Sequence, residues 1–317
     1  MRKDGKELLF LVPVCKHNIW GGVKLREEFG YPVEGNDIGE CWGISAHPEG
    51  DGTIRNGEYQ GKKLSELWAE HPELFGNLQY DRYPLLTKII DAQDDLSIQV
   101  HPDDAYAREN ENGSLGKTEC WYIMDCNEDA TIVIGHNAKT ETELKEMVAE
   151  ERWQELIREI PIHKGDFIQI DPGTVHAIKA DTLILETQQN SAITYRLYDY
   201  GRLQNGKPRE LHIDKSLDVI TVPAKSAEES VESVSGLLVN ALNQIYTCEK
   251  YTVFKIDVNG SAAFEQNYPF LAASVLEGEG SVDGAEVHKG DHFIIPNGYG
   301  KVEMNGNMSL ILSTVEK

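Results

Sequence analysis

Two stretches of this chain open with the same four residues: HKGDFIQIDPGTVHAI begins at His163 and HKGDHFIIPNGYGKV at His288. In each, a Gly-Asp turn leads into an apolar run, and a proline-containing turn leads on to another strand. A strand–turn–strand unit used twice constrains the fold more than any other feature, because it calls for two related β modules. A short turn motif can also recur by chance; the shared HKGD and the matching downstream proline weigh toward common architecture. Between the copies, PAKSAEESVESVSG is rich in Ser and Glu, carries little apolar content and reads as a linker. The boundary falls near residue 235, with a metal-binding module and helical insertions expected in residues 1–235 and a second, metal-free module in residues 236–317.

Elsewhere, short apolar runs punctuated by Gly, Asp and Pro predict many strands. Two segments depart from that pattern. KKLSELWAEHPELFG has helical spacing at Leu64, Leu67, Trp68, Leu74 and Phe75. TETELKEMVAEERWQELIREI has capping-box spacing at Thr140 and Glu143, followed by Leu144, Met147, Val148, Leu156 and Ile157. A shorter helix is expected within ELHIDKSLDVI.

The hydrophobic fraction of 40% is enough for real cores, and 53 Asp and Glu against 30 Lys and Arg leave a formal net charge of −23. A surface this acidic repels phosphate backbones and anionic membranes, which argues against nucleic acid and membrane partners. An anionic small molecule would need a locally basic pocket. The five cysteines are scattered, odd in number and without a C-x-x-C pair, so no disulfide framework or thiolate zinc site is expected. The basic start MRKDGKELLFLVPV has too short an apolar run for a signal peptide and reads as a first strand. A cytoplasmic location is the expectation.

In LSIQVHPDD, strand alternation puts Ser97, Gln99 and His101 on one face and Ile98 and Val100 on the other. A polar face turned inward needs a reason, because buried polar groups without partners are costly. A metal is one such reason. GKTECWYIM, expected about one hairpin later, places Glu119 on a face with Trp121 and Ile123, and the first copy of the repeat ends its turn at His176. Two imidazoles, a carboxylate and an amide oxygen can bind a divalent cation, and zinc suits such donors. The plainer alternatives are two ordinary histidines and a Glu119–Lys117 pair on a hairpin rim; Gln99 is an uncommon ligand.

Taken in order, KHNIWGG, GECWGISAHPEG, SIQVHPDD, GKTECWYI, PGTVHAI and ETQQNSAITYRLYDYGR resemble the short bacterial form of the type I phosphomannose isomerases, over essentially the whole chain. The resemblance implies a mainly β fold, two cupin-type jelly-roll β-barrels with helical insertions. It implies interconversion of mannose 6-phosphate and fructose 6-phosphate through an enediolate, and one zinc per chain held by Gln99, His101, Glu119 and His176. It further implies Arg196 and Lys117 as catalytic groups, and Ser97, Lys88, Trp20 and Glu186 at a sugar-phosphate pocket. The residues alone leave other roles open: an ion pair of Arg196 with Asp199 or Glu186, a solvated Lys88, a core Trp20, a buried ion pair at Glu186. One departure stands out, since many members carry Asp four residues before the arginine and this chain has Ala192. The second copy of the repeat has Gly300 where the first has His176. Isomerisation of another sugar or sugar phosphate, and a catalytically silent sugar-phosphate sensor, remain the competing functions.

Overall fold

The computed structural model describes residues 6–232 and 234–316. Residues 1–5 of the expected first strand, and Ser233 of the expected linker, lie outside the described residues. Strands dominate. In the N-terminal part, a seven-stranded sheet runs in the order Val231–Glu232, Phe167–Ile170, Glu119–Cys126, Thr182–Gln189, Leu85–Ala92, Val14–Gly22 and Ile38–Ile44. A five-stranded sheet runs Tyr195–Tyr198, Ile98–Val100, His176–Ile178, Thr131–His136 and Ile157–Pro161.

The two sheets face one another across a cluster that includes Trp20, Ile90, Trp121, Ile123, Ile134, Ile178 and Ile184. The other face of the larger sheet, through Phe167, Ile89, Leu183 and Leu185, packs on Val253, Phe270 and Ile311 of the C-terminal part. Strands Leu85–Ala92 and Thr182–Gln189 are therefore buried along their whole length. The outer face of the smaller sheet, Ile98 and Val100 included, packs on Leu144, Met147 and Val148 of the helix Glu141–Ala149. Each sheet is covered on both sides, so polar residues between the sheets are enclosed by apolar walls.

The expected helices are present with two corrections. The first is the helix Leu64–Glu70 followed by a 3₁₀ turn, Pro72–Phe75. The second begins as expected, with Thr140 Oγ1 accepting the Glu143 N–H at 3.2 Å, but it ends at Ala149. Glu151 takes a left-handed φ of 54°, a short helix Trp153–Leu156 follows, and Ile157 belongs to a strand instead of a helix. Between His101 and Glu119 the connection is not a bare hairpin: it contains the helix Asp104–Asn110, whose Asp103 side chain caps Tyr106 N–H at 2.8 Å. The helix Ile213–Val219 matches the third expectation.

The C-terminal sheet is led by the long strands Thr252–Gln266, Gly300–Thr314 and Phe270–Val282. The chain's own first strand joins it: Leu9 pairs Ile294 and Phe10 pairs Phe293. The proposed division at residue 235 thus follows the order of the sequence, while Leu9–Val12 crosses to the C-terminal sheet. The repeated HKGD forms the same turn twice. Asp166 accepts the His163 N–H at 2.7 Å, and Asp291 accepts the His288 N–H at 2.8 Å, with Gly165 and Gly290 at φ of 95° and 91°. Those left-handed values are why the third residue of each copy is glycine. Around the second copy the interior is filled by Phe254, Ile256, Leu271, Phe293, Ile295 and Tyr299.

His292 follows that second turn and joins the two parts. Tyr31 donates its hydroxyl proton to Gly290 O, which leaves its oxygen to accept from His292 Nε2 at 2.9 Å, while Ser274 Oγ donates to Nδ1 at 2.8 Å. Burial, with Arg55 adding to it against Asp291, takes the imidazole from 6.5 down to about 4. The unfolded chain therefore gains a proton as pH falls through 6.5, and the folded chain does not until about 4. Stability should drop across that window by up to about 3 kcal/mol from this group. Urea unfolding at pH 7 and pH 4.5 tests it: His292→Gln should show a smaller loss on acidification than the parent, and an equal loss would place the sensitivity elsewhere.

Candidate active site

The register brings the expected ligands together from both sheets. Gln99 pairs with His176 and with Arg196 in the smaller sheet, and Glu186 pairs with Lys88 and Trp121 in the larger one. At one end of the space between the sheets, His101, Glu119 and His176 converge, all fully buried. His101 Nε2 lies 3.4 Å from Glu119 Oε2, His176 Nε2 lies 3.3 Å from Glu119 Oε1, and the two Nε2 atoms are 3.1 Å apart. A tetrahedral cation with bonds of about 2.0–2.1 Å separates its ligands by about 3.3 Å. The spacing fits such an ion.

Proton assignment strengthens the fit. His176 Nδ1 donates to Thr174 O at 2.8 Å, which leaves Nε2 bare. Lys117 Nζ stands 3.1 Å from His101 Nε2 and, having only protons to offer, makes that nitrogen bare as well. Two imidazole lone pairs and a carboxylate thus point at one another. Burial, helped by the Lys117 charge, takes His101 down to about 3, and burial lowers His176 also, so both are neutral donors. Burial opposes the charged form of Glu119, but the Lys117 charge outweighs it and holds the carboxyl well below its usual range. The Gln99 amide approaches His176 Nε2 at 3.3 Å, and half a turn about its last bond presents the oxygen in place of the nitrogen. These residues can hold a divalent metal ion.

Beside the cluster runs a row of alternating charges. Lys117 Nζ is 2.6 Å from Glu119 and 3.8 Å from Glu186, and Lys88 Nζ is 3.2 Å from Glu186 and 3.5 Å from Glu40. The Trp121 indole N–H donates to Glu186 at 3.1 Å and that of Trp42 to Glu40 at 2.6 Å. Burial and the nearby Glu119 charge raise the Glu186 pKa. The Lys117–Glu119 contact is therefore real, but it lies in the interior and not on a hairpin rim.

All of this opens into a cavity of about 260 Å³ lined by Trp20, Lys88, Ser97, Gln99, Lys117, Glu186 and Arg196 among others, with the His101, Glu119 and His176 cluster directly behind Gln99 and Lys117. Lys88 is buried, not solvated, and Glu186 does form a buried ion pair. Trp20 serves as cavity wall and core residue at once. Arg196 does not pair with Asp199, which is held instead by Arg202 and Arg209. Its Nη1 donates to Glu210 O at 2.8 Å, and its buried Nε has no hydrogen-bond partner among the described residues. Ala192 sits exposed at the cavity rim. Sequence reasoning missed Glu40, Asn18, Thr194 and Arg209, which also line it; Glu40 could have been found, since it shares a strand face with Trp42. A larger recess of about 370 Å³ is lined by Asp103, Asp104, Asp171 and Glu249. Lys250, its basic group, is tied to Asp104 at 3.0 Å, so that recess repels anions.

Residues 8–124 match the family model for the catalytic domain of type I phosphomannose isomerase, and residues 242–315 match that for the cupin domain of mannose-6-phosphate isomerase. The chain is 49% identical to mannose-6-phosphate isomerase ManA of Bacillus subtilis strain 168, over 97% of this chain and 98% of that one. It is 46% identical to mannose-6-phosphate isomerase of Streptococcus mutans, over 97% and 98% respectively. A crystal structure of mannose 6-phosphate isomerase from Bacillus subtilis superimposes with a TM-score of 0.90 at 46% identity, covering 98% of this chain and 100% of that one.

Proposed function

This chain belongs to the type I phosphomannose isomerases, and on that footing we propose that it interconverts D-mannose 6-phosphate and D-fructose 6-phosphate with zinc as its metal. The carrying observation is that the two bare imidazole nitrogens and the Glu119 carboxylate meet at tetrahedral spacing behind a cavity bearing Lys88, Lys117, Arg196 and Arg209. In an otherwise acidic protein, that cavity is the locally basic place a sugar phosphate requires.

The reaction moves a proton between C1 and C2 of the open-chain sugar and passes through an enediolate. Bound zinc supplies a Lewis-acid charge near the two sugar oxygens without redox change. Lys88 and Ser97 bind the phosphate. Trp20 and Trp121 wall the sugar and exclude water. The Arg196 guanidinium offers a fork of donors to the developing oxyanion. Lys117 Nζ, with Glu186 Oε1 3.8 Å away outside the ligand cluster, is the group placed to act as the base in its neutral form. The amine then takes the proton from one carbon and returns it to the other. No carboxylate at Ala192 takes part in this path.

A coupled assay on metal-loaded protein tests the proposal. Turnover of mannose 6-phosphate, with free mannose far slower and close to one equivalent of zinc by elemental analysis, is expected. Ala192→Asp should raise turnover or leave it alone. A loaded parent that is inert and gains activity only as Ala192→Asp would make the protein a sensor and refute the Lys117 path.

A further inference from the structure

All five cysteines carry free thiols, and two of them face each other. Cys15 in the strand Val14–Gly22 and Cys41 in the strand Ile38–Ile44 are direct antiparallel partners, flanked by the pairs Val14–Trp42 and Lys16–Glu40. Directly opposed residues share a face with Cβ atoms about 4.5–5.5 Å apart, a short closing movement from the roughly 3.5–4.5 Å of a disulfide. Their surroundings differ. Cys41 is wholly buried beside Tyr31, and burial, followed by the Cys15 contact, pushes its pKa well up. Cys15 is half-buried, and the hydrogen bond from Cys41, outweighing burial, pulls its pKa down. One sulfur is thus the more acidic and the nearer to solvent, and the other is a buried partner opposite it. That asymmetry is what separates an attacking from a resolving cysteine.

We propose that Cys15 and Cys41 form an oxidisable dithiol, which hydroperoxides convert to a cross-strand disulfide. The Cys15 thiolate attacks a peroxide oxygen; the O–O bond breaks, the sulfur gives up an electron pair and becomes a sulfenic acid, and the leaving oxygen departs as water after protonation. Cys41 sulfur then attacks Cys15 sulfur, the S–S bond forms, the S–O bond breaks, and the Cys41 proton leaves with the hydroxyl as a second water. One hydrogen peroxide is reduced to two waters for two thiols oxidised, and a dithiol reductant reverses the change. The half-buried Cys15 sulfur would leave the bond open to a reductant from solvent. It would also tether the strand that places Glu40 in the cavity, since Cys41 follows Glu40 directly.

The experiment uses the full chain, reduced and then treated with stoichiometric hydrogen peroxide. Free thiols titrated after denaturation should fall by two of the five. A proteolytic map should show the segments containing Cys15 and Cys41 joined, and dithiothreitol should separate them. Cys41→Ser should leave Cys15 as a sulfenic acid that dimedone captures, whereas Cys15→Ser should leave Cys41 unreacted. In the reduced chain, iodoacetamide should label Cys15 about tenfold faster than the half-buried Cys126 or Cys248, whose pKa values burial raises. Retention of all thiols, a bond through Cys120, Cys126 or Cys248, or a cross-link between two copies would overturn the proposal.

Discussion

His176→Ala should purify with less than about a tenth of an equivalent of metal and lose at least ~10³-fold in turnover of mannose 6-phosphate, because the charge the ion contributes is worth several kcal/mol at about 1.4 kcal/mol per decade. The truncation removes one bare Nε2 from a cluster in which each donor stands 3.1–3.4 Å from the next. Glu119→Gln should fail differently. It keeps the shape of the side chain but removes the carboxylate that stands 2.6 Å from Lys117, and Lys117 is itself buried. Without that partner, Lys117 is left with Glu186 at 3.8 Å as its nearer carboxylate. Breaking a buried pair from one side typically costs about 3–5 kcal/mol, so the Gln variant should lose metal and also unfold at lower urea than metal-free parent protein. Elemental analysis and urea titration read these outcomes apart from activity. Full metal content in both variants would place the ion elsewhere.

How much of this was legible in the sequence depended on whether the signal was local. Gln99 stood out because alternation put it with Ser97 and His101 on a polar face opposite Ile98 and Val100, and Glu119 because it shared a face with Trp121 and Ile123; in the structure Gln99 lines the cavity and Glu119 is buried behind it. The HKGD turns were legible for the same reason, since Asp166 and Asp291 each close a turn only three residues back. Lys88 gave no such contrast. Its strand is covered on both sides, so apolar residues fill both faces and alternation disappears. Arg209 reaches the cavity from outside any regular strand, held by Asp199 ten residues earlier in the chain, and no spacing marks that contact. The break at Glu151 was invisible because a left-handed φ usually advertises itself with Gly or Asn, and here a glutamate adopts it. The pairing of Leu9–Val12 with His292–Pro296 joins opposite ends of the chain, and nothing in either segment names its partner.

Arg196→Ala should lower turnover by about 10³-fold, the upper end for removing one donor aimed at a developing oxyanion, with metal content and folding unchanged. The structure explains why the fold should survive. Among the described residues Arg196 makes no ion pair and its buried Nε has no hydrogen-bond partner; Asp199 keeps Arg202 and Arg209, and the guanidinium spends one donor on Glu210 O. Burial, and then the neighbouring Arg209, work against its charge and lower its pKa. A half-buried cation kept close to a second one, with no carboxylate in ion-pair contact among the described residues, is a site prepared for an anion from outside. Arg196→Lys should remain impaired by at least about 10²-fold, because a point charge cannot reproduce the planar fork. The kinetic pattern distinguishes two anions. Loss confined to kcat means that Arg196 meets charge that develops only during isomerisation, whereas a rise in KM at constant kcat means that it binds the phosphate. The register favours the first, since Arg196 is the direct strand partner of Gln99 and Gln99 touches His176 of the candidate metal cluster. Near-normal kcat in Arg196→Lys, with metal retained, would strip Arg196 of that role.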